Sequence, residues 1–168
     1  KKDALAAGLS DDGRGLDAGG TGATAYTDAV VVYLGMAGSK MSDAQSSLCR
    51  WKTTMDQSIA TFGRQALPMV WDYAESCPLG ESSGAFAINI DNIENVLTDA
   101  GFAALSSNVE RRDAATAGQS VTQVVTDPPY YDAINYADLS DFFYVWLKRT
   151  EGEHHPDWYS TLLCDRDL

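Results

Sequence analysis

Two adjacent prolines, Pro128 and Pro129, follow an apolar run and fix where the chain leaves any sheet. The run SVTQVVTD, residues 120–127, has the β-branched residues typical of a strand. Proline has no amide hydrogen to donate to a sheet ladder, so we expect the strand to end at Asp127. A helical pattern follows at about 137–149. The sequence therefore predicts a strand–loop–helix unit of an α/β sheet.

Earlier in the chain, apolar residues recur at three- and four-residue spacing, which predicts helices. Thr54 and Gln57 have capping-box spacing, and Pro68 should kink or divide the helix that they begin. The predicted helices span 23–48, 53–76, and from 88 or 91 to 100, and a weak strand is expected at 108–112. One or two strands make an incomplete parallel sheet, so a partner chain or a further part of the protein should complete it.

The 168 residues suit one domain, with residues 1–22 as a flexible lead rich in Gly, Asp and Ala. The rest, 23–168, divides into a helical part at 23–104 and the strand–loop–helix part at 105–168. The GGTG sequence at 19–22 is interpreted as part of the lead, because a phosphate-binding loop should follow a buried strand.

Composition excludes several classes of function. The net charge of −12, from 12 basic and 24 acidic residues, argues against tight non-specific binding of nucleic acid by this chain. The sequence has no run of the roughly 20 apolar residues that a membrane helix needs, so we expect no membrane-spanning helix. The three cysteines are far apart, so we expect no metal site and reduced thiols in the cytoplasm. His154 and His155 are interpreted as part of a surface turn beside Pro156.

The loop at 127–130 lies at the carboxyl end of the predicted strand, where open α/β sheets bind ligands. Its residues suit methylation of an exocyclic amine, whose lone pair is delocalised into a ring. The Asp127 carboxylate and a main-chain carbonyl held by the prolines would each accept one N–H and localise that lone pair. The Tyr130 ring would stack on the planar base, which must first leave its duplex.

The sequence DPPY at 127–130 resembles the catalytic motif of S-adenosylmethionine-dependent amino-methyltransferases, chiefly those that act on adenine N6. Cytosine N4 enzymes more often have a serine in place of the acid. Four blocks resemble the carboxyl-terminal half of a family of large adenine-specific DNA methylases: RQALPMVWDYAE, SSG, RDA and TDPPYYDAINYADLSDFFYVWLKR. The resemblance covers most of residues 20–165 and implies a helix-rich fragment of a Rossmann-like methyltransferase fold.

Carried over residue by residue, the resemblance assigns catalysis to the four residues of the motif. Asp127 would accept from the target amine and Pro128 would supply the main-chain carbonyl. Pro129 would hold the turn, and Tyr130 would stack on the extruded base.

The resemblance also implies cofactor and pocket residues outside the motif. Asp113 and Ala114, in the RDA block, would lie near the adenine of S-adenosylmethionine, and Tyr131 and Asp132 would line the substrate pocket. The glycine-rich cofactor loop of such enzymes is not found in these residues, and the resemblance places it upstream of Lys1.

The implied function is transfer of a methyl group from S-adenosylmethionine to a flipped base, most often adenine N6, by a cytoplasmic enzyme. DNA would be bound through the full-length protein, and the upstream part of the same polypeptide would be a partner. The chain alone is expected to be inactive. Two alternatives remain open: methylation of RNA or of a protein amide, and a non-catalytic module that keeps the loop but binds partner chains.

Overall fold

A computed structural model of the protein describes residues 1–99, 109, 112–116, 122–128, 130 and 133–164. This part of the chain is helix-rich and combines α-helices with one antiparallel hairpin. In chain order its elements are α1 (Lys2–Ala6), α2 (Ala23–Ala44), β1 (Arg50–Lys52), β2 (Gln57–Ile59), α3 (Phe86–Asp99), a 3-10 turn (Ala114–Thr116) and α4 (Tyr136–Glu151). The predicted helix-rich α/β class is confirmed, whereas the Rossmann-like arrangement stays a prediction.

Three of the predicted helices are confirmed, with shifted ends. α2 begins at Ala23 as expected but ends at Ala44, α3 begins earlier than predicted at Phe86, and α4 begins at Tyr136. Each packs on another helix: α2 contacts both α3 and α4. None of the helices in the described ranges is both long enough and apolar enough to span a membrane.

The helix predicted at 53–76 is wrong, because tertiary contacts hold this segment in a hairpin that is followed by an irregular path. Asp56 closes the hairpin with a φ of 52°, in the left-handed region that a helix interior excludes. Just beyond β2, the Thr61 amide donates to the main-chain oxygen of Asp43 at 2.7 Å. Pro68 then removes a further helical hydrogen bond.

The strand predicted at 120–127 is also wrong for its described residues. Residues 122–128 have no regular secondary structure, and the side chains of Val124 and Val125 are 71% and 85% exposed. No described strand lies beside them to accept or donate the ladder hydrogen bonds that a strand requires. The weak strand predicted at 108–112 falls mostly outside the described residues.

Helix α4 packs against α2 rather than on a sheet, contrary to the expectation for its FFYVW run. Where the helices meet, Gly35 of α2 is buried, and a Cβ atom there would overlap the carboxylate of Glu151. Glu151 is only 3% exposed and accepts a hydrogen bond from the Tyr159 hydroxyl at 3.0 Å. Burial raises the pKa of Glu151 above its usual value, against the opposing effects of Tyr159 and His155.

Residues 1–22 make defined contacts with the start of α2. Asp11 Oδ1 accepts from the amide of Thr24 at 3.1 Å and from its hydroxyl at 2.8 Å. Hydrogen bonds from Lys1 and Thr24 hold the pKa of Asp11 well below its usual value. A carboxylate from the predicted lead therefore satisfies a backbone donor in the first turn of α2, where the helix dipole favours an anion.

The two histidines tie the end of α4 to earlier parts of the chain. His154 Nδ1 lies 2.9 Å from Asp28 Oδ1, and His155 Nδ1 lies 3.1 Å from Asp17 Oδ2. The ring of His155 is stacked on Trp158, and its side chain is only 4% exposed. The prediction of a surface turn is therefore wrong for His155.

Replacing Gly35 with alanine should lower the free energy of unfolding by about 1–3 kcal/mol, because the new Cβ displaces the buried Glu151 carboxylate. Movement of Glu151 would also break its hydrogen bond with Tyr159. Urea unfolding followed by circular dichroism measures this change.

Gly38→Ala is the matched control, since Gly38 is also inside α2 but has open space where its Cβ would lie. It should raise the free energy of unfolding by about 0.5–1 kcal/mol through helix propensity. In a Glu151→Ala background, Gly35→Ala should no longer destabilise the protein. If both glycine variants behave alike, the packing explanation is incorrect.

Candidate functional site

The predicted catalytic loop is accessible to solvent. Asp127 and Pro128 are exposed, and Tyr130 is 70% exposed. The main-chain oxygen of Tyr130 accepts from the amide of Ala133 at 3.4 Å, a turn that leads directly into α4. Pro129, Tyr131 and Asp132 lie outside the described residues. The described residues thus present an acid and a phenol ring to solvent immediately before a helix.

The predicted cofactor residues form a separate local structure. Asp113 is exposed, and its Oδ1 accepts from the amide of Ala115 at 2.9 Å. Its main-chain oxygen accepts from the hydroxyl of Thr116, also at 2.9 Å, so Asp113 caps the 3-10 turn that begins at Ala114. Within the described ranges, no hydrogen bond or ion pair joins Asp113 to Asp127.

Grooves surround the first two turns of α4, directly after the loop. The Arg64 groove, of about 530 Å³, runs between the segment after β2 and α4. Its volume lies within the range of about 300–1,000 Å³ that is usual for small-molecule sites. The groove is lined by Asp43, Phe62, Gly63, Arg64, Gln65, Tyr136, Leu139, Ser140 and Phe143.

The second, which we call the Asn135 groove, has a volume of about 420 Å³ and is closer to the loop in sequence. It shares Gln65 and Leu139 with the Arg64 groove, so the two are contiguous. Its lining residues are Gln65, Ala66, Leu67, Ala133, Ile134, Asn135, Asp138 and Leu139. Neither Asp127 nor Tyr130 lines these two grooves, although the wall of the second begins at Ala133, three positions after Tyr130.

A cluster of aromatic rings holds the walls of the Arg64 groove together. The ring centroid of Phe62 lies 5.2 Å from that of Phe142, in an edge-to-face arrangement, and 5.4 Å from that of Phe143. The Phe62 amide donates to Asp43 Oδ1 at 3.3 Å, and the Thr61 hydroxyl donates to the main-chain oxygen of Asp43 at 2.7 Å. The end of α2 thereby fixes residue 62 against α4.

Sequence reasoning missed the groove residues, because the segment around Phe62 was expected to be helical. Arg64 and Gln65 do begin one of the blocks that resemble the DNA methylases. That block was the available signal that the segment lies near the start of α4.

The described residues supply only part of a site for S-adenosylmethionine. The exposed carboxylate of Asp113 suits one hydrogen bond to a hydroxyl or amine of the cofactor. A glycine-rich loop after a strand is not present among the described residues, because both strands belong to the hairpin. In the GGTG sequence, a Cβ at Gly20 would overlap the main-chain oxygen of Arg14, so this glycine allows two chain segments to cross. The described residues therefore do not fit the whole cofactor.

No group of His, Cys, Asp and Glu side chains in the described part of the chain is arranged to hold a metal ion. Cys49 and Cys77 are free thiols, and Cys49 is buried against the main-chain oxygen of Asp43.

Comparisons of the chain with protein families, with curated proteins and with solved structures find no match. The resemblance to DNA methylases therefore depends on the sequence blocks themselves.

Replacing Phe62 with alanine should destabilise the protein by about 2 kcal/mol, because the half-buried ring contacts two rings of α4. For a chain of this size, that corresponds to a fall in Tm of about 4–8 °C. Leu67→Ala is the control, since Leu67 is 53% exposed and its truncation should change stability by less than about 0.5 kcal/mol. Equal falls in Tm for the two variants would contradict the proposed role of the ring cluster.

Proposed function

We propose that this chain forms the amine-recognition part of an S-adenosylmethionine-dependent DNA amino-methyltransferase that acts on adenine N6. The observation that carries the proposal is the exposure of the Asp127 carboxylate and the Tyr130 ring in one short loop. A buried Asp127 would have been incompatible with contact to a base. The Asn135 groove, whose wall begins at Ala133 three positions after Tyr130, offers space of suitable size.

In the proposed mechanism, Asp127 accepts one hydrogen of the exocyclic amine and the main-chain oxygen of Pro128 accepts the other. These two hydrogen bonds favour a pyramidal nitrogen and draw its lone pair out of conjugation with the ring. The acceptors are preorganised because Pro128 has a fixed φ and no amide hydrogen that could compete for Asp127. As the nitrogen gains its new substituent, Asp127 is positioned to take the departing proton.

The Tyr130 ring orients the base in this proposal. Base–aromatic stacking contributes about 1–3 kcal/mol per base and accepts any base, because each has a π face. The exposed ring can therefore hold an extruded adenine while Asp127 and Pro128 engage its amine. S-adenosylmethionine, when bound, supplies the methyl group from its sulfonium centre. Asp113 would contribute one hydrogen bond to it.

Asp127→Asn should reduce methyl transfer by at least about 100-fold in the complete polypeptide that carries this chain. The variant loses the carboxylate that accepts a hydrogen bond from the amine and then takes its departing proton. Transfer of a labelled methyl group from S-adenosylmethionine to DNA measures the effect. Asp3→Asn is the matched control, since Asp3 is an exposed acid in α1, far along the chain from the loop.

The substrate class is decided in the same assay. RNA of the same base sequence and a protein acceptor serve as parallel substrates, and we expect labelling of DNA alone. Tyr130→Phe should retain transfer, whereas Tyr130→Ala should lose it, because stacking requires the ring and not the hydroxyl. Unchanged labelling by Asp127→Asn would exclude the proposed mechanism and favour a binding module.

The isolated 168-residue chain should bind S-adenosylmethionine no more tightly than about 1 mM, because its described residues provide one carboxylate and no glycine-rich loop after a strand. Isothermal titration calorimetry of the chain with the cofactor measures this affinity. Saturable binding in the micromolar range would show that the chain contains a cofactor site that we have not identified.

A further inference from the structure

The cations of this acidic chain fall into two groups. Most of those in the described ranges have a partner: Lys1, Arg14 and Lys40 pair with carboxylates, Lys148 donates to a main-chain oxygen, Arg149 lies over the ring of Trp146, and Arg112 also has a partner. In the same ranges, four cations have no hydrogen-bond, ion-pair or ring partner: Lys2, Arg50, Lys52 and Arg64. Three of these four belong to one surface.

We call this surface the hairpin strip and define it as Arg50, Lys52 and Arg64. Arg50 and Lys52 are the first and last residues of β1, so their side chains point to the same face of the hairpin. In the register of the hairpin they lie opposite Ile59 and Gln57, which carry no charge.

Arg50 connects β1 to the Arg64 groove. Its guanidinium lies so close to Gly63 that a Cβ at this position would overlap Nη2. Arg64, the next residue, lines the groove itself. Arg50 therefore joins the face of β1 that carries Lys52 to residue 63, the neighbour of Arg64 in the chain.

The guanidinium of Arg50 is unusual because its Nε is buried and has no hydrogen-bond partner. The terminal nitrogens Nη1 and Nη2 are not buried in this way, and terminal guanidinium donors suit phosphate oxygens. Asp56, at the turn, is the one acid in the hairpin sequence, and Asp43, which pairs with Lys40 at 3.7 Å, lines the Arg64 groove.

We propose that the hairpin strip binds the phosphate backbone of the DNA strand whose base enters the catalytic loop. The inference rests on the proposed function for its choice of DNA. The strip supplies localised, unpaired cations next to the groove, while the rest of the chain keeps its acidic surface. Contacts of this kind position a strand without reading its sequence.

The test measures binding of the 168-residue chain to a fluorescently labelled single-stranded DNA by anisotropy, without cofactor, at several salt concentrations between about 50 and 200 mM. Lys52→Ala with Arg64→Ala is the test variant, because both side chains are exposed and their loss should not disturb folding. Each lost phosphate contact should reduce the slope of log K against log salt by about 0.7, so the double variant should reduce it by about 1.4.

Lys2→Ala with Arg149→Ala is the control and removes the same charge from other surfaces. It should leave the slope unchanged, which separates a local site from a general effect of net charge. Absence of DNA binding by the wild-type chain, an equal loss in the control, or binding of RNA in preference to DNA would each overturn the proposal. Since no methyl transfer is measured, a failure here is distinguishable from a failure of the proposed activity.

Discussion

Helix α2 passes close to α4 because Gly35 has no side chain at the point where Glu151 is buried. This contact sets the relative position of the two helices, and other parts of the structure depend on it. Beyond Gly35, the end of α2 holds Thr61 and Phe62 through Asp43, and Phe62 packs on α4. A shift of α2 relative to α4 would therefore open the Arg64 groove.

Glu151, at the contact between α2 and α4, and Asp11, at the start of α2, affect stability in opposite directions as the pH falls. The folded-state pKa of Glu151 is raised, so its ionised form costs stability at neutral pH, and that cost is relieved as the pH falls through the raised pKa. The folded-state pKa of Asp11 is lowered, so it contributes stability above its unfolded pKa and loses it in strong acid. Mild acid should therefore strengthen the α2–α4 contact before it weakens the contact of the lead with α2.

The sequence was sufficient to predict α2, α3 and α4 as helices, because apolar residues recur at helical spacing in each. It did not predict their buried faces: Tyr26 of α2 and Val96 of α3 are exposed, whereas Asp28 of α2 is buried. The same spacing at 53–76 was misleading. There the backbone follows Asp56 into a left-handed turn, and Thr61 is held by the distant Asp43. Apolar periodicity indicates which residues would share a helical face, but it gives no information about tertiary contacts that compete with the helix.

The candidate site likewise combines residues that are consecutive in the sequence with residues that only the fold brings together. Asp127 to Tyr130 are consecutive, so the motif alone is enough to propose a chemistry for them. The groove wall at Phe62 and the pairing of His154 with Asp28, 126 positions away, depend on how helices pack and leave no local pattern.

Charge illustrates why an average over the chain is a poor guide to a site. A net charge of −12 argues against non-specific binding only if the cations are spread evenly or neutralised. In the described residues, Lys1, Arg14 and Lys40 are neutralised by carboxylates, whereas Arg50, Lys52 and Arg64 are not. At physiological ionic strength the Debye length is about 8 Å, so a phosphate held against Arg50 is screened from most acids elsewhere on the surface. The distribution of unpaired cations, rather than their total, therefore determines which surface of this protein best suits an anion.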